Sequence, residues 1–212
     1  MFNSPNRPRL FLLGLAVLVP FVGAFTLHHL FSVAAQGKHA KSADYGSQMV
    51  EYTREGRYDE AIQTGLKSLH NDPSDGAVYQ QIVVVYLIRA QKDSAQQKQW
   101  IQRAISYIDK ALQADPDNPV NVRDLGFDFE KAGDLASDGN CQYYRRALDL
   151  SKRVVALLQS DHITAGGQTY PIDPERKEFT AYGHVFRIEP LQKANEKLSE
   201  RLKTKLTSAK CE

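Results

Sequence analysis

Apolar residues are spaced in three different ways along this chain. From Leu10 to Leu27 the run LFLLGLAVLVPFVGAFTL carries no charge at all. Its eighteen residues would make roughly 27 Å of helix, close to the hydrocarbon thickness of a bilayer. It has no polar face, which argues against a buried core helix. Arg7 and Arg9 precede it, so region 1–36 reads as a signal-anchor or transmembrane helix, or as a cleavable signal peptide. Small residues at Val22-Gly23-Ala24 and Val33-Ala34-Ala35 offer cleavage sites. Lys38 and Lys41 on the far side nearly balance the leading arginines, and the basic leader tips the folded part to the extracytoplasmic side. The expectation is a single-pass membrane protein with its domain on the periplasmic side; the alternative is an exported, soluble one.

From about Ser42 to Gln159 the apolar spacing becomes helical and repeats itself. Asp72-Pro73-Ser74-Asp75 returns as Asp115-Pro116-Asp117-Asn118, and each copy closes a similar stretch, AIQTGLKSLHNDP from Ala61 and AISYIDKALQADP from Ala104. Small Ala61 and Ala104 let a neighbouring helix approach, and each proline stops its helix. Asn118-Pro119 supplies a capping side chain followed by proline, a helix start. These residues resemble the tetratricopeptide repeat, a helix-turn-helix unit. Tyr45, Tyr52, Gly56, Ala61, Leu69 and Pro73 match in the first copy. Tyr79, Ile82, Tyr86, Ala104, Ala111, Leu112 and Pro116 match in the second, and Val122, Leu125, Gly126, Phe129 and Gly133 in the third. The second copy carries extra residues around Gln91 to Gln99, which either lengthen both helices or form a loop. In the third, Ala147 fills either the earlier or the later alanine position of the second helix.

The resemblance implies an all-α solenoid of about three repeats over 42–159. Such repeats stack their first helices into a concave groove that binds a peptide or partner helix. Carried over position by position, the groove residues are Val50, Thr53 and Arg54; Gln80, Val84 and Leu87; and Arg123, Phe127, Glu130 and Lys131. An apolar centre with charges at its rim suits a protein partner.

Beyond Gln159 the helical spacing stops. Ala165-Gly166-Gly167, Pro171 and Pro174 break any helix, so 160–189 is expected to be an irregular connector. Phe179 to Ile188 has the composition of a strand or an extended wrap, and Thr169 to Ile172 is a candidate hairpin partner for it. Leu191, Ala194, Leu198, Leu202 and Leu206 then line one face of a charged helix over 190–210, the form of an end cap.

Composition and charge narrow the chemistry. The 212 residues are 42% apolar and 25% charged with a net charge of +2, an ordinary folded chain too balanced to argue for nucleic acid. Tyr143-Tyr144-Arg145-Arg146 has the aromatic-and-basic look of a nucleic-acid contact but sits at helical spacing, where packing and solvation account for it. No phosphate loop, HExxH or nucleophile elbow is present, and no cofactor or metal is expected. The rival enzyme reading gathers His162 or His184 with Asp173 or Glu175 as a hydrolytic or metal site. Two cysteines cannot build a disulfide framework. A Cys141–Cys211 bridge would tie the last helix to the third repeat. With Cys211 second from the end of the sequence, two unpaired thiols are slightly favoured.

Overall fold

The computed structural model describes residues 39–181 and 184–211. The apolar Leu10–Leu27 run and the rest of 1–36 lie outside them. Among the described residues the chain is mostly helical. α1 (His39–Arg54), α2 (Tyr58–Asn71), α3 (Gly76–Lys92), α4 (Gln97–Ala114), α5 (Pro119–Leu135) and α6 (Asn140–Leu158) follow one another. Four short strands come next, β1 (His162–Ala165), β2 (Gln168–Pro171), β3 (Glu178–Ala181) and β4 (His184–Arg187), before α7 (Ile188–Ser208).

The helices begin and end where local chemistry requires. The Asn118 side chain accepts from the amides of Val120 and Asn121 ahead of Pro119, and Asp75 accepts from Val78 N at the start of α3. α2 and α4 stop immediately before Asp72-Pro73 and Asp115-Pro116. The extra residues of the second pair mostly lengthen α3 and α4. A four-residue turn remains, in which Asp93 accepts from Gln96 N at 3.2 Å and from Trp100 Nε1 at 3.1 Å.

Consecutive helices form antiparallel pairs, α1 with α2, α3 with α4 and α5 with α6, and each pair packs on the next. The odd-numbered helices also touch one another: α3 lies against both α1 and α5, and α5 against α7. The core runs through all the pairs, from Met49 and Ile82 to Ile108, Leu125, Phe129 and Val154. Ala61, Ala104 and Ala147 are each fully buried, and Gly126 faces the backbone of Ala147. Ala147 is the eighth residue of α6 as Ala104 is the eighth of α4. At Gly65 a Cβ would stand 2.8 Å from Ile82 Cγ1 and 2.9 Å from Met49 Cε, so three helices meet over a missing side chain.

The connector is more ordered than its breakers suggest, and its pairing differs from the expected one. Thr169 pairs with Thr164 in the β1–β2 hairpin, not with the Phe179 segment, and β3 pairs with β4. The physical reason is the turn. Gly166 and Gly167 take φ of +56° and +72°, the left-handed pair that a two-residue hairpin loop needs. Each strand then closes on its nearest neighbour. Ile163 and Ala165 are buried, and Phe179 stacks on Phe186 with ring centroids 5.1 Å apart.

Asp115 anchors the first hairpin. Its buried carboxylate accepts from Asn118 Nδ2 at 2.7 Å and from Gly166 N at 3.0 Å, 51 residues away. The carboxylate of Asp72, the matching residue of the first copy, accepts instead from the amide and hydroxyl of neighbouring Ser74. Burial pushes the Asp115 carboxyl up, partly offset by those two donors.

α7 runs antiparallel to α6 and buries Leu191, Leu198 and Leu202. Asn195, fully buried, donates from Nδ2 to Ser151 O at 2.9 Å. The unpaired-thiol expectation is overturned: Cys141 and Cys211 form a disulfide with Cα atoms 5.4 Å apart. The antiparallel run brings the first turn of α6 beside the end of α7, where Arg145 also donates to the Cys211 carbonyl.

Candidate partner-binding face of the first helices

α3 is walled in by neighbours on several sides, and what remains accessible is a narrow seam. Ala77, Gln80, Gln81, Val84 and Ile88 stay half-buried at helical spacing, while Ile82, Val83, Tyr86 and Leu87 between them are buried. α5 shows the same arrangement, with Val120, Asp124 and Phe127 half-buried and Lys131 exposed. On α1, Val50 and Thr53 are half-buried and Arg54 is exposed. Val50, Val84 and Phe127 thus form matching apolar rungs on three adjoining helices, each followed four residues later by Arg54, Ile88 or Lys131.

The remaining sequence-derived groove residues sit deeper. Leu87 is core, and Thr53 donates its hydroxyl to Met49 O at 2.6 Å. Gln80 reaches across to α5 and donates to Asp128 Oδ2 at 3.1 Å. Arg123 is buried and grips Asp124 Oδ1 through Nε and Nη2 at 2.9 and 2.7 Å. Glu130 is buried as well, held by α7: Arg201 bonds both its oxygens at 3.1 and 2.8 Å, and Lys205 lies 2.9 Å away. Burial alone would raise the Glu130 carboxyl, but these two cations win and hold it below the ordinary carboxylate range. Arg201 also places its guanidinium 5.6 Å from the centre of the Phe127 ring.

Asp128 was not singled out from the sequence, although a carboxylate inside Leu125-Gly126-Phe127-Asp128-Phe129 is a visible anomaly. Burial pushes its carboxyl well above the ordinary value; Gln80 offsets this in part and Asp124 adds to it. Between the ordinary carboxylate pKa and the raised value, the folded chain keeps a proton that the unfolded chain has released. Asp128's contribution to stability is full below the ordinary carboxylate pKa and is lost as pH rises towards the raised value. Asp128→Asn is neutral at every pH and still accepts from Gln80. It is expected to unfold at higher denaturant at pH 7, by on the order of 1–2 kcal/mol, and to flatten that pH dependence. A variant no more stable than the parent at pH 7 would show that the native carboxylate is well compensated.

The residues of the rival constellation have local engagements. His162 is exposed and bonds its sequence neighbour Asp161 at 2.5 Å. His184 is half-buried in β4, and Asp173 caps a tight turn through Glu175 N and Arg176 N. Among the described residues no three His, Cys, Asp or Glu side chains gather as a metal site. Nor is any helix there long and apolar enough to cross a membrane. The Tyr143-to-Arg146 quartet lies in the first two turns of α6. Tyr144 is buried and donates to Asp134 at 2.9 Å, and Arg146 lies over the Phe129 ring and contacts Asp109. No protein-family model matches the sequence, and no curated protein matches it either.

Proposed function

We propose that α1 to α6 are three tetratricopeptide-type repeats capped by α7, and that the protein is a membrane-tethered adaptor without chemistry of its own. It holds a peptide or partner helix against the seam of Val50, Val84 and Phe127. The observation that carries this reading is the contact pattern. The first helices adjoin one another and leave matching rungs accessible, while the second helices lie behind them. The Cys141–Cys211 bridge supports an extracytoplasmic address, where disulfides persist. The Leu10–Leu27 run supplies the tether.

Val84 offers the cleanest test because it lies on the seam and is only half-buried. Full-length protein captured from detergent-solubilised membranes is expected to bring a partner with it. Val84→Glu is expected to lose that partner while its melting temperature stays near the parent's. Undiminished co-elution with the glutamate in place would remove the seam as the binding face.

A further inference from the structure

We propose that the segment bound in this seam is apolar at its centre and flanked by carboxylates, an acidic peptide rather than a basic or neutral one. The proposal rests on the groove reading above and adds the chemistry of its occupant. It starts from which charges along the rungs are already used.

The seam's acidic groups are consumed internally. Asp124 is held by the buried Arg123, Asp128 by Gln80, and Glu130 by Arg201 and Lys205 together. Two of its cations are not used up. Arg54 and Lys131 are exposed, each four residues beyond an apolar rung, and neither has an ion-pair partner among the described residues. Arg201, paired with Glu130, remains 47% exposed at its side chain and overhangs Phe127. The unpaired cations therefore bracket the apolar rungs at both ends, Arg54 beside Val50 and Lys131 beside Phe127. Glu51 is also exposed, three residues before Arg54 on α1, and the two form no ion pair with each other.

Opposite charge at a rim sets partner choice and speeds encounter, while the desolvated centre supplies affinity. A segment with leucine or phenylalanine at its centre and aspartate or glutamate to either side satisfies both. Lysines in the same places would meet two unpaired cations.

The test uses the full chain in nanodiscs of uncharged lipid, with empty discs as the blank. Two fluorescent peptides share a Leu-Phe-Leu centre, one flanked by glutamates and one by lysines, and binding is followed by anisotropy. The glutamate peptide is expected to bind at least tenfold more tightly. That advantage should shrink with salt and reverse in Arg54→Glu/Lys131→Glu. Equal affinities, or a preference for the lysine peptide, would overturn the acidic occupant while leaving the seam in place. Affinity for the glutamate peptide that is unchanged by Phe127→Ala, or absent altogether, would overturn the seam reading itself.

Discussion

Replacing both Cys141 and Cys211 with serine is expected to lower the free energy of unfolding by about 4 kcal/mol. The bridge spans 70 residues, a loop holding α6, both hairpins and α7, and closing a loop of that size removes much of the unfolded chain's freedom. The folded state should change little. Leu191, Leu198 and Leu202 remain buried, and Lys205 still bridges Glu130 and Asp134. Chemical denaturation of parent and double variant without reductant measures the difference. Adding dithiothreitol should bring the parent to the variant's midpoint and leave the variant unmoved. A difference under about 1 kcal/mol would mean that residual structure already restrains the unfolded loop.

The second large effect separates two neighbouring rings. Phe129 is fully buried on α5, with the Arg146 guanidinium 4.3 Å from its ring centre. Phe129→Ala empties a site walled on all sides and is expected to cost about 3–5 kcal/mol. Phe127, two positions earlier, is only half-buried and packs against the edge of the core. Phe127→Ala is expected to cost about 1 kcal/mol or less in stability while weakening partner binding by about 2 kcal/mol, as truncating an aromatic anchor does. Urea unfolding of the two variants side by side decides the matter. Equal and large losses would place Phe127 in the core and leave the seam without its aromatic.

The helices were readable from sequence because their signals are local. Asn118-Pro119, the two Asp-Pro stops and the buried alanines each act within a few residues, and the described helices start and stop there. What escaped was contact between distant parts. Nothing near Cys211 indicates that α7 folds back along α6, a helix of 19 residues beside one of 21, so that their far ends meet at the disulfide. Glu130 looked like a rim charge because its partners lie far along the chain, Arg201 71 residues on and Lys205 beyond it. Asp115 and Asp72 occupy matching places before their prolines, and the Gly166 amide that Asp115 alone of the two accepts lies 51 residues away. One miss was local. Gly166-Gly167 between β-branched and aromatic residues is a hairpin turn, yet it also reads as a breaker, and that reading hid the pairing of β1 with β2.

The account turns on which face of the helix pairs meets the partner. The most direct measurement places a photo-crosslinking amino acid at Val84 on the seam and, separately, at Leu66 on the exposed side of α2, a second helix. Irradiated in intact cells, the full chain is expected to yield a discrete adduct from Val84 and none from Leu66. An adduct from Leu66 with none from Val84, or equal adducts from both, would contradict the assignment of the binding face.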